Sequence, residues 1–160
     1  MPKDRGALIR QAGLAIRMHQ NAVDQVDEAA SAYMEINRTD GRCLDILERT
    51  GRMTAGELAL DSGLSTGAIT AVIDRLEKAG YVCRLRDDRD RRRVLVELTE
   101  EAHRRVAEVY GPIAEQGLAT LGACSDEQLI LIRDFMNEGR EFLSGYAASL
   151  REKKGWVADR

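Results

Sequence analysis

Leu8, Ala12, Ala15, Ile16, His19, Val23, Val26, Ala30 and Tyr33 recur at steps of three and four. That spacing predicts one long amphipathic helix over the first thirty or so residues. Asn37 and Thr39 end it and start another, with Thr39 expected as the N-cap of a short helix that carries Leu44, Ile46 and Leu47 and stops near Gly51. Thr54 precedes Glu57 by three residues, the spacing of a capping box, so a third helix begins there and ends at Ser62-Gly63. Ser65 offers a fresh N-cap for a fourth helix to about Ala79, and two helices joined by so tight a turn must cross steeply. Gly80 is the expected stop. Beyond it Tyr81–Arg86 and Val94–Leu98 alternate as two strands with a polar tip between them. Thr99 caps a helix with Ala102, Val106, Val109, Ile113, Leu118 and Leu121 on one face, and Pro112 is expected to kink it. Ser125 and Gln128 form a second capping box, after which Leu129, Ile132, Phe135, Met136, Phe142, Leu143, Tyr146 and Leu150 hold a last long stripe. Residues 151–160 read as a tail.

The chain has 160 residues, the size of one ordinary domain, and a chain of this length buries roughly 70% of its unfolded surface without a metal or disulfide staple. With 44% apolar and 32% charged residues, collagen-like and disordered classes are excluded. No apolar run approaches the ~20 residues that cross a bilayer, and the opening stretch lacks a continuous apolar segment, so a soluble cytoplasmic protein with no membrane partner is expected. Cys43, Cys83 and Cys124 are an odd number at wide spacing without a CxxC. They are expected to be packed thiols in a reducing compartment, with no disulfide and no metal. There is no glycine-rich phosphate loop, no G-x-S-x-G and no His/Cys cluster, so neither an enzyme nor a cofactor is indicated.

The formal charge of -3 hides a local reversal. Six arginines (84, 86, 89, 91, 92, 93) face three aspartates (87, 88, 90) between Arg84 and Arg93, and this run includes the hairpin tip. A tip with four arginines, Arg89, Arg91, Arg92 and Arg93, beside a helix-turn-helix can follow a DNA backbone or place a guanidinium in a narrow minor groove. Asp90 is the expected brace, a carboxylate able to hold the Arg92 guanidinium by paired hydrogen bonds. On the fourth helix Ile69, Val72, Ile73 and Leu76 fall on one side, which must be the core side, and Gly67, Ala71, Asp74 and Lys78 point away. Asp74 and Lys78 have the spacing of an ion pair. Ser65 and Thr66 stand at the N-terminus, where free amides and the helix dipole favour phosphate. Gly67, Ala68 and Ala71 are small enough for a close approach in a major groove, Thr66 or Thr70 suits a base edge or thymine methyl, and Arg75 suits guanine or phosphate.

Leu47-Glu48, Met53–Ala59, Gly63-Leu64-Ser65, Ala68-Ile69-Thr70, Ile73–Val82 and Asp90-Arg91-Arg92 with Val94–Thr99 together resemble the multiple-antibiotic-resistance regulator (MarR) family of winged-helix regulators. The resemblance is close over about half the chain, and the flanking helices match in pattern only. The fold expected is mostly α with a small two- or three-stranded β wing, a winged helix-turn-helix core flanked by long N- and C-terminal dimerisation helices. Within a single domain, 1–160, residues 39–98 would form the DNA-binding lobe, and 1–36 and 99–150 the dimerisation helices. What the resemblance implies is an obligate homodimer on an operator, the helix Ser65 to Ala79 in the major groove, and Arg92 in the minor groove with Asp90 as its support. It also implies a repressor released by a small molecule or oxidant. An aromatic or lipophilic acid between dimer helices and winged core is the effector considered, with Tyr33, Met34, Arg42 and Met53 near that junction and no ligand residue assigned. The alternatives are a winged-helix protein-interaction module and a regulator without an effector. Two departures matter: Arg93 stands where the family often has a small polar residue, and no cysteine lies near the start of the first helix.

Overall fold

The computed structural model describes residues 4–88 and 90–153. Arg89 and residues 154–160 of the expected tail lie outside the described residues. The elements are α1 (Arg5–Tyr33), α2 (Arg38–Thr50), β1 (Met53–Thr54), α3 (Ala55–Ser62), α4 (Thr66–Lys78), β2 (Val82–Arg86), β3 (Val94–Leu98), α5 (Glu100–Gly122) and α6 (Asp126–Lys153). The chain divides into two compact units, Met1–His103 and Arg104–Arg160, with the boundary inside α5. The architecture is the mostly helical one with a small antiparallel wing that the periodicity predicts.

The first unit owns the core. Cys43, Leu44, Ile46 and Leu47 of α2, Leu58 and Ala59 of α3, and Ile69, Val72, Ile73 and Leu76 of α4 are all buried, closed from below by Val82, Leu95, Val96 and Leu98 of the strands. Each such large aliphatic chain contributes about 1.5–3 kcal/mol on leaving water. The sheet has the order β1-β3-β2 with all pairs antiparallel. Val82 lies opposite Leu98 and Arg86 opposite Val94 across the wing. The third strand is only two residues long, Met53 opposite Val96 and Thr54 opposite Leu95, too short to leave an alternation in the sequence.

Local capping explains the joints. Asn37, not Thr39, is the N-cap of α2, its side chain accepting the Asp40 N–H at 2.9 Å. Both residues suit the role, and the early turn of α1 at Ile36 brings the first of them into position. Thr54 and Glu57 make both halves of the capping box. Gly63 ends α3 in the left-handed region at φ 68°, and the Leu64 N–H reaches back to the Ala59 carbonyl, which is the tight turn of the helix pair. Gly80 repeats the device after α4 at φ 79°, the Tyr81 N–H bonding the Leu76 carbonyl. Thr99 then fastens three segments at once. Its N–H bonds the Tyr81 carbonyl, its hydroxyl donates to the Gly80 carbonyl at 2.7 Å, and the same oxygen caps α5 by accepting the Ala102 N–H.

In the second unit, α5 continues through Pro112, and Ser125 with Gln128 closes the second capping box ahead of α6. No described side chain of residues 104–150 is buried. Among the described residues no helix is long and apolar enough to cross a membrane, and no cluster of His, Cys, Asp or Glu has the makings of a metal site.

The end of α1 is tied to the winged region by one buried hydrogen bond, the Tyr81 hydroxyl donating to the Met34 carbonyl at 3.0 Å. Replacing Tyr81 by Phe strands that carbonyl away from water, and the free energy of urea unfolding is expected to fall by about 1 kcal/mol.

Candidate nucleic-acid interface

Helix α4 is amphipathic in the way its sequence predicts. Ile69, Val72, Ile73 and Leu76 are no more than 2% exposed, so the opposite side has to face solvent. Thr66, Gly67, Ala68, Thr70, Ala71, Asp74, Arg75 and Lys78 are exposed and Ser65 is half-buried. Ser65 is the N-cap, accepting the Ala68 N–H at 3.2 Å, which leaves the first-turn amides of Thr66 and Gly67 directed out of the helix end. The Thr70 hydroxyl donates to the Thr66 carbonyl at 2.9 Å, so its donor is occupied while its methyl and the oxygen's acceptor capacity stay available. A Cβ added at Gly67 would meet nothing within 4 Å. Glycine there costs the helix about 1 kcal/mol against alanine, and the fold of the free protein offers no steric reason for it.

Arg75 is less free than its exposure suggests. Its Nε and Nη2 donate to the two carboxylate oxygens of Asp40 at 3.1 and 2.6 Å, a bidentate pair joining α4 to the first turn of α2. Asp40 is almost fully enclosed, its side chain 4% exposed. The hydrogen bond that Arg75 donates to Asp40 raises the Arg75 pKa further above its already high value. Asp74 does not pair with Lys78: it accepts from Arg84 Nη2 at 2.5 Å, and Arg84 also holds Glu77. Strand β2 lies within reach of the helix's outer edge, and the forked guanidinium gives one nitrogen to each of two carboxylates. Both acidic residues of α4 are thereby held by one arginine.

The wing tip sorts its arginines. Arg91, Arg92 and Arg93 are exposed. Arg93 donates from Nη2 to Glu57 Oε1 at 3.1 Å, and its Nη1 lies 3.9 Å from Asp87. Glu57 is held ionised, below the usual carboxylate range, first by the Thr54 main-chain N–H, then by the Thr54 hydroxyl, with Arg93 adding to it. Among the described residues no carboxylate pairs with the Arg91 or Arg92 side chain. Asp90, expected to grip the Arg92 guanidinium, instead accepts the main-chain N–H of Arg92 at 3.0 Å, and its carbonyl accepts the Arg93 N–H. It shapes the turn rather than aiming a side chain, because an aspartate two residues back is at the spacing of an Asx turn.

Of the cysteines, Cys43 is fully enclosed and burial pushes its thiol up to about 11, which leaves it protonated and unreactive near neutrality. Cys83 and Cys124 are only partly covered, Cys83 on the outer strand β2 and Cys124 in the turn before α6. Of the four residues considered for an effector junction, Met34 is core, Met53 is half-buried on β1, and Tyr33 and Arg42 are exposed.

Residues 36–94 match the model of the MarR family. The HTH-type transcriptional regulator YcgE of Bacillus subtilis (strain 168) is 36% identical over 125 residues, covering 78% of this chain and 81% of that protein. Among solved structures, a MarR family protein from Bacillus stearothermophilus superposes with a TM-score of 0.63 at 21% identity, over 88% of this chain and 98% of its own. NadR in complex with 4-hydroxyphenylacetate gives 0.60 at 25% identity, over 78% and 89%.

Arg75→Gln leaves the enclosed Asp40 carboxylate without its fork. Since Arg75 keeps half its surface in water, the expected loss in unfolding free energy is about 1–3 kcal/mol rather than that of a fully buried pair, checked by urea denaturation.

Proposed function

The chain belongs to the MarR family of winged helix-turn-helix, DNA-binding transcriptional regulators, and we propose that it acts as a homodimeric, sequence-specific repressor on a pseudo-palindromic operator. The observation that carries the DNA contact is the open face of α4, small at Gly67, Ala68 and Ala71 and polar at Ser65, Thr66 and Thr70, against a fully buried apolar face. In the proposed complex these residues enter the major groove, the first-turn amides of α4 meet a phosphate, and Arg75, anchored on Asp40, presents its remaining N–H groups to the backbone or a guanine. Arg92, with Arg91 beside it, reaches the minor groove from a turn shaped by Asp90.

Homodimerisation is supported by surface that a single chain leaves uncovered. Ile113, Leu118 and Leu121 of α5 and Leu131, Phe135, Phe142 and Leu143 of α6 are between 41% and 70% exposed, as are Ile9, Leu14 and Met18 of α1 at 57–63%. Apolar surface of that extent marks an interface, and two-fold symmetry then sets two half-sites about one helical turn apart. The effector proposed is a small aromatic or lipophilic acid that releases the repressor. The 4-hydroxyphenylacetate held by NadR supports that class, and no residue of this chain is assigned to it.

Gly67→Ala is expected to raise stability by about 0.5–1 kcal/mol while weakening operator binding, because the helix gains propensity as the groove loses clearance. Arg92→Ala is expected to leave stability unchanged, weaken binding, and lower the slope of log K against log salt by about one. Titrating a fluorescent operator at several salt concentrations, with urea unfolding for the stabilities, decides both, and Arg92→Ala that binds as tightly as wild type removes Arg92 from the interface.

Sedimentation of the wild type is expected to give a dimer, and Phe142→Glu with Leu131→Glu a species of lower mass. A monomeric wild type at micromolar concentration overturns the homodimer.

A further inference from the structure

Arg93 occupies the wing differently from its neighbours. Its main chain closes the loop in both directions, the Asp87 N–H donating to its carbonyl at 3.1 Å and its own N–H to the Asp90 carbonyl at 2.8 Å. Its side chain crosses to α3, 36 residues back in sequence, and ends on Glu57. That glutamate is already immobilised: Oε2 accepts the Thr54 N–H at 2.7 Å and the Thr54 hydroxyl at 2.8 Å, which leaves Oε1 for Arg93. The two oxygens of one carboxylate thus divide between starting α3 and holding the wing. With Asp87 on its other arm, Arg93 faces two carboxylates and brings no net positive charge to a phosphate.

We propose that Arg93 is a positioning residue, latched on Glu57, that sets the direction in which the wing carries Arg91 and Arg92, and that it makes no contact with DNA itself. The inference rests on the reading of the wing as a DNA contact. It separates two roles that a run of arginines conceals, and it predicts a result of unexpected sign. Removing the negative charge of Glu57 weakens binding to a polyanion, because the wing loses its anchor.

The test uses the full-length protein with Glu57→Gln, Arg93→Gln and the double variant. Glutamine keeps the third position of the capping box, so α3 still starts at Thr54 and only the latch is lost. Each single variant is expected to bind an operator fragment about tenfold more weakly, and the double variant no worse than Arg93→Gln alone, since the latch is lost in all three. The slope of log K against log salt stays at the wild-type value, which the loss of a phosphate contact would lower by about one. In the free protein, hydrogen exchange at the amides of Asp87 and Arg93 is expected to accelerate several-fold in both singles, with the amides of α4 unchanged. Glu57→Gln that binds as well as or better than wild type, with Arg93→Gln lowering the salt slope by about one, makes Arg93 a phosphate contact and overturns the proposal. Unaltered exchange at residues 87 and 93 overturns it as well, whatever the DNA result. A wild-type protein that binds no fragment overturns the DNA reading instead, and the exchange measurement still decides whether Glu57 holds the wing.

Discussion

Four aliphatic side chains on one side of α4, Ile69, Val72, Ile73 and Leu76, are committed to the core, and the rest of the lobe is arranged around that commitment. A helix that spends one face so completely has its other face fixed in direction. What remains is to fix rotation and slide, and ion pairs do this at its edges. Asp40 takes Arg75 from the side of α2, and Arg84 takes Asp74 and Glu77 from the side of β2. The apolar contacts supply most of the energy and the forked guanidinium contacts supply the angle.

Much of this is legible in the sequence because it is local. Capping boxes at Thr54/Glu57 and Ser125/Gln128, the glycine at 63, the stop at Gly80 and the period of each helix depend on residues three or four apart, and all stand where the pattern puts them. Most of the departures have a common cause. The pairing of Asp74 with Arg84 and the reach of Arg93 to Glu57 join residues 10 and 36 positions apart, so the side-chain partner depends on how strands and helices come together. The same holds for a third strand only two residues long, which pairs with β3 about 40 residues on, whereas Asn37 over Thr39 at the start of α2 is a local choice between two residues that both suit a cap. The candidate contact residues of α4 and the wing are readable as exposed and small, polar or basic. Which arginines are already engaged is not, since charge along a sequence carries no information on what faces it.

The charge run of Arg84 to Arg93 therefore overstates the positive surface. Arg84 holds two carboxylates on α4 and Arg93 meets two more, so part of the local excess is spent inside the lobe. This accounts for an acidic chain, at -3 overall, carrying so dense a basic segment. Two of its arginines, Arg84 and Arg93, are engaged with acidic neighbours, and Arg91 and Arg92 stay exposed.

Thr99 joins the turn that follows α4, the base of the wing and the first turn of α5 through three hydrogen bonds of one residue. Mechanically it is a rivet at the root of a lever. A twist of the first turn of α5 either shears the bond to the Gly80 carbonyl or drags Gly80 along, and Gly80, at φ 79°, is the backbone joint best able to turn. The end of α4, the wing and the start of α5 thus share a single fastening, so a change at residue 99 is felt in all three at once.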